Sequence, residues 1–157
     1  MNRRSFLAPV ILLPLLTFGC AAPPPPPPEL DLAITAGADQ NPDAAGQASP
    51  VKIFMYQLGS GAKFERADVF ALTERDKATL GEDLLASDAI VVAPGEQRAV
   101  KKQLKTGTQV LGIVVLFRDI DHATWRQMAK VAVSGTTALK LTTKGITATL
   151  APGSASC

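Results

Sequence analysis

The residues best equipped for chemistry are few and scattered. The one histidine, His122, stands in the stretch RDIDHATW (118–125), with Asp119 and Asp121 as neighbouring carboxylates. Such a trio suggests a metal shell or an oriented base. Neighbours one or two apart on a strand point to opposite faces, however, and no second histidine exists to complete a shell. Glu82 and Asp83 are adjacent carboxylates in a segment that reads as solvated loop. There is no HExxH, no phosphate-binding glycine loop and no nucleophile elbow. These residue types in these positions point to no reaction. The expectation is a protein that is not an enzyme, with no metal, no cofactor and no small-molecule substrate.

The two cysteines carry more information. Cys20 closes an apolar run, Phe6 to Phe18, that follows Arg3 and Arg4. A short positive segment and then an apolar run too short to cross a bilayer is the plan of a secretory signal peptide. Pro9 and Pro14 inside the run also oppose a long helix. The sequence LTFGC (16–20) resembles a bacterial lipobox, with Thr17 where that pattern usually has leucine. The resemblance implies cleavage between Gly19 and Cys20 and covalent lipid on Cys20. RRSFL (3–7) also resembles a twin-arginine export motif, so the export route stays open between that and the general secretory one. Ala21 after the cysteine lacks the acidic character that retains such proteins at the inner membrane, which implies the periplasmic face of the outer membrane.

Behind Cys20 come six prolines, Pro23 to Pro28, which favour a polyproline II spacer of roughly 19 Å. With Cys20 committed to lipid, Cys157 has no mate for a disulfide and reads as part of a frayed terminus. Removing 19 of 157 residues leaves 138, enough for one domain with a real core. The leader also takes Arg3 and Arg4 with it. The sixteen Lys and Arg then fall to 14, against 14 Asp and Glu. That balance gives a nucleic-acid partner no electrostatic footing.

The elements that must position these residues are mostly strands. Leu30, Leu32, Ile34 and Ala36 alternate with Asp31 and Thr35, which predicts a half-buried strand. Gly37 to Pro50 is small, polar and punctuated, a long loop of the length that is usually functional or disordered. VKIFMYQL (51–58) predicts a second strand. Phe64, Ala67 and Ala71 fall at helical spacing and predict one short helix from Ala62 to about Thr73, packed through Phe64, Phe70 and Leu72. ATLGEDLLAS (78–87) reads as irregular or helical. Ala89–Ala93, Gln97–Leu104, Gln109–Phe117 and Trp125–Val133 predict further strands, the first half of the last also allowing a helix. Gly112 in the apolar third of these marks a bulge or close packing. The last two runs meet at Lys144-Gly145 in a hairpin. Seven or eight short strands with one helical insertion predict a β-sandwich.

IFMYQL (53–58), FERADVFALTERDKATLGEDLLAS (64–87), APGE (93–96) and VLGIVVLFRDIDHATWR (110–126), in that order behind a lipobox, resemble the outer-membrane lipoproteins of type VI secretion systems, the TssJ (SciN-like) family. The resemblance implies a mainly β, two-sheet transthyretin-like sandwich with a short helical insertion at about 62–87 and no catalysis. It implies a leader over 1–19, a lipidated cysteine and tether over 20–29, the sandwich over 30–151 and a tail over 152–157. It also implies a partner, the periplasmic part of a TssM-type inner-membrane component, met by the first inter-strand loop. That loop maps to Gly37–Pro50, where Gln40, Asn41 and Asp43 are the expected polar contacts. The residues also allow plainer readings. Arg118 and Asp119 would form a local pair or cap the sheet end, Trp125 would be core, and the whole would be a lipid-anchored periplasmic module for a small ligand or envelope polymer. Against that last reading, aromatics are 5% of the chain, few for a ligand pocket.

Overall fold

The computed structural model describes residues 22–154. The leader, the Gly19-Cys20 cleavage site and Cys157 lie outside the described residues. Eight strands form two four-stranded sheets. The first sheet has the order β4-β1-β7-β8, from β1 Pro28–Ala36, β4 Gln97–Gln103, β7 Gly135–Lys144 and β8 Thr147–Pro152. The second has the order β3-β2-β5-β6, from β2 Val51–Leu58, β3 Leu84–Val92, β5 Val110–Leu116 and β6 Arg126–Lys130. All strand pairs are antiparallel except β1 with β7, which run parallel. The two-sheet sandwich is the architecture that the alternation predicts. The strands reach beyond the sequence expectation at four places: β1 takes in Pro28 and Glu29, β3 takes in Leu84–Asp88, β7 begins at Gly135 before the expected Ala138, and β8 runs past Leu150 to Pro152. Proline is tolerated as the first residue of a strand because its missing N–H is needed least there.

Leu32 and Ile34 of β1, Leu139 and Leu141 of β7, Ile53 and Met55 of β2, and Ile113 and Val115 of β5 fill the space between the sheets. Strand alternation sends Tyr56 and Val114 to the other face of the second sheet. There they form a second core with Leu58, Phe64, Val69, Leu72 and Leu80. β5 separates the two cores, which explains why its sequence is apolar on both faces. Gly112 is required at this point: a Cβ there would lie 2.8 Å from Cζ of Phe64.

The lid on that face is three short helices, α1 Ala62–Arg66, α2 Val69–Glu74 and α3 Asp76–Leu80, with a 3-10 turn at Gly81–Asp83. The single helix expected from apolar spacing is broken at Ala67, whose backbone is extended. Asp68 then restarts the helix as its N-cap, Oδ1 accepting from the Ala71 N–H at 2.9 Å. The break rotates Phe70 outward. It is 60% exposed, whereas Phe64 and Leu72 are fully buried as expected. Buried Tyr56 donates its hydroxyl to the Leu72 carbonyl at 2.8 Å. Burial, aided by Asp76, pushes the phenol's pKa up and keeps that proton in place.

The two open sides of the sandwich are each bridged by polar residues that face inward. Lys102 of β4 pairs with Asp88 of β3 on one side. On the other, the Gln127 amide of β6 donates to the Ala148 carbonyl of β8 at 2.9 Å and accepts from the Leu150 N–H at 3.3 Å.

Candidate partner-binding end

Four connections meet at the end of the sandwich where β1 stops: the β1–β2 loop, the β3–β4 turn, the β5–β6 connection and the β7–β8 turn. Backbone bonds join them. Ala36 N–H reaches the Glu96 carbonyl at 2.8 Å, Asn41 N–H the Gly145 carbonyl at 2.7 Å, and Thr124 N–H the Ile146 carbonyl at 3.0 Å. Gly37 N–H donates to the Thr143 carbonyl at 2.7 Å, and a Cβ at residue 37 would lie 2.6 Å from that same oxygen. Only glycine lets the loop leave the sheet so closely.

The structure divides the three polar residues expected to touch a partner. Gln40 and Asn41 are buried, so they are corrected to internal supports. The Gln40 amide donates to the Val92 carbonyl at 2.9 Å and the Ser49 carbonyl at 3.4 Å, and accepts from the Thr143 hydroxyl at 2.5 Å. Asn41 donates to the Pro50 carbonyl at 2.9 Å and accepts the Arg118 N–H at 2.7 Å. Its φ of 51° suits a left-handed conformation that asparagine tolerates. Asp43 lies further out. Its Oδ1 accepts the Ala45 and Gln47 N–H groups, both at 2.9 Å, and so shapes the exposed tip Ala44–Gln47. The loop is an ordered platform whose outer surface is backbone and short side chains.

Two recesses flank the loop. One, of about 410 Å³, is lined by Pro42, Asp43, Ala44, Arg118 and Asp119. The other, of about 720 Å³, lies against the β7–β8 turn between Asp39, Thr142, Lys144 and Thr149. Asp119 does not pair with Arg118. Its Oδ1 accepts from His122 Nδ1–H at 2.7 Å, and this bond together with the carboxylate's charge raises the His122 pKa. Among the described residues no group of three or more His, Cys, Asp or Glu side chains is placed to hold a metal. Glu82 and Asp83 sit in the 3-10 turn, where Asp83 pairs with Lys63 at 3.4 Å.

Sequence reasoning missed Arg126. Its guanidinium lies over the half-buried Trp125 ring at 4.4 Å and donates to the carbonyls of Phe64 at 3.0 Å, of Ala67 at 2.8 Å and of Glu65. A cation gathering the free carbonyls at the end of α1 satisfies that helix where it breaks. Burial lowers the guanidinium's pKa, with Glu65 and Asp68 opposing. The only signal available was an arginine directly after a tryptophan.

The proline run enters at the opposite end. Ala22 to Pro27 are exposed and form no regular element, and Pro28 opens β1 with its carbonyl accepting the Leu104 N–H at 2.8 Å. A nine-residue strand separates the two ends by about 26 Å.

A family model described as "Type VI secretion lipoprotein, VasD, EvfM, TssJ, VC_A0113" matches residues 28–145. The fold aligns with the crystal structure of the T6SS lipoprotein TssJ1 from Pseudomonas aeruginosa at a TM-score of 0.80 and 37% identity, over 83% of this chain and 100% of that one. A chain in a structure of a type VI membrane complex aligns at 0.72 and 30% identity, over 80% and 98%. A chain in a structure described as the TssM C-terminal domain from EAEC aligns at 0.67 and 28% identity, over 78% and 99%. A comparison with curated proteins finds no match.

Proposed function

The chain belongs to the type VI secretion lipoprotein family, and from that premise we propose that it is the outer-membrane anchor point of the secretion system's membrane complex. Lipid on Cys20 holds it to the periplasmic face, the prolines space it from the bilayer, and the far end of the sandwich meets a TssM-type inner-membrane component. It does this without catalysis and with no cofactor beyond the covalent lipid. The observation that carries the reading is the opposition of tether and loop platform at the two ends of β1. A module built this way turns its ordered loops away from the membrane that holds it. The similarity to chains in structures of a type VI membrane complex and of the TssM C-terminal domain supports the choice of partner.

A pull-down of the full chain against the periplasmic region of the TssM-type protein tests this. Replacing Asp43–Gln47 by a Gly-Ser linker of equal length should abolish capture while the fold survives. Undiminished capture sinks the platform assignment. Separately, Cys20→Ser should release the protein from membranes. Continued fractionation with the outer membrane would refute the anchor.

A further inference from the structure

The parallel β1–β7 pair is the exception in a sandwich otherwise built from antiparallel strands. It spans nine registered pairs, from Pro28 opposite Gly135 to Ala36 opposite Thr143. β1 receives the tether at Pro28, and β7 delivers its last residue, Lys144, to the loop end. Both ends of the pair are fastened. At the tether end Leu104 N–H holds the Pro28 carbonyl at 2.8 Å. At the loop end Gly37 N–H holds the Thr143 carbonyl at 2.7 Å, and the Thr143 hydroxyl holds Gln40. On its other flank β1 has seven more registered pairs with β4.

We propose that the β1–β7 pair is a load-bearing clamp, which transmits tension from the anchored N-terminus to the partner-facing end without unravelling. The inference rests on the reading above, in which those two ends are held by membrane and partner. Its physics is directional. A pull downward on Pro28 and upward on Lys144 slides two parallel strands along each other. Hydrogen bonds across a ladder lie across the strands, so such a pull loads all of them together. A partner gripping the β1–β2 loop alone pulls along β1 itself and leaves the ladder unloaded, so the clamp bears load where the partner also holds the β7–β8 turn, which the Asn41 N–H ties to that loop through the Gly145 carbonyl. β8 behaves in the opposite way. It is an edge strand with six registered pairs, and it runs back from the turn toward the tether end. Tension between the N-terminus and the residues after Pro152 opens those pairs one at a time.

The test is single-molecule pulling at constant force on the full, unlipidated chain. One protein carries handles on Cys20 and on Lys144→Cys, with Cys157→Ser; the other carries them on Cys20 and native Cys157. Lys144 is exposed, and Thr147→Cys offers a second attachment on the same turn should the first disturb folding. Forced unfolding reads the unfolding rate along the pulled direction. The expected lifetime at equal force is at least about tenfold longer for the Cys20–Lys144 geometry. Equal or shorter lifetimes overturn the clamp. Neither membrane nor partner is present in this measurement. Equal lifetimes therefore leave the partner reading standing, and a failed pull-down leaves the measured anisotropy standing.

Discussion

The β1–β2 loop and the helical insertion are both long irregular connections out of β strands, yet they are ordered by opposite means. The insertion is held by apolar burial, with Phe64, Leu72 and Leu80 fully enclosed over the second sheet. The loop buries two amides instead and directs their polar atoms to the Val92 carbonyl, the Arg118 N–H, the Thr143 hydroxyl and the carbonyl of its own last residue, Pro50. Apolar burial fixes a large area and leaves an outward face of helix. Polar pinning fixes a few points and leaves the tip Ala44–Gln47 exposed. The second is the better way to order a surface that must stay soluble until it is covered.

Substitutions can sharpen or break that contrast. The largest effect is expected for Phe64→Ala, a fully buried ring over Gly112, at about 3–5 kcal/mol of stability in denaturant unfolding. Capture of the TssM-type region should be unchanged wherever the variant remains folded. A binding defect in folded protein would break the separation between the two regions. Gln40→Ala comes next, at about 1–3 kcal/mol, because it strands the Val92 carbonyl and the Thr143 hydroxyl. Here hydrogen exchange should rise across 37–50 and leave α1–α3 protected, and uniform deprotection would erase the contrast. Asp68→Ala should cost less, removing a cap from α2 only. The Asp68 carboxyl is held below its usual range, chiefly by the Ala71 N–H, so its contribution is present above the unfolded pKa of about 3.9 and is lost as pH falls through the lower folded value. Wild type and Asp68→Ala should therefore converge in stability in acid. The smallest effect is Asp119→Asn, expected to leave stability intact and to bring the His122 pKa back down toward about 6.5 in an NMR titration. In wild type the pair's contribution is complete below that value and fades as pH rises through the raised folded pKa.

How far the fold was legible follows from the same contrast. Alternation in β1 and the two-sided apolar run of β5 are periodic signals, and the strands lie where those signals put them. Gly112 and Gly145 were readable because close packing and a turn each need glycine; the latter has φ of 54°. The helix break was not legible from spacing, because Phe64, Ala67 and Ala71 continue the helical period straight through the extended Ala67. Asp68, which follows directly on Ala67 and caps α2, was the missed sign of a second start. Gln40 and Asn41 were misplaced because burial through hydrogen bonds has no period, and a polar residue in a polar loop reads as solvent-facing. The Arg126 clamp joins segments 59 or more residues apart and has no local signature.

The inward-facing Lys102–Asp88 pair and the Gln127 bridge have a consequence for crowding. A protein confined to a membrane surface diffuses in a plane, where copies meet far more often than in solution, and exposed strand edges invite copies to zip together. An incoming strand at β3 or β4 would have to break or bury the Lys102–Asp88 charges, which is a recognised defence of sheet edges. At β8 the Gln127 amide already occupies backbone groups that a stranger would need. Both lateral edges of the sandwich thus carry polar groups that oppose edge-to-edge pairing of copies.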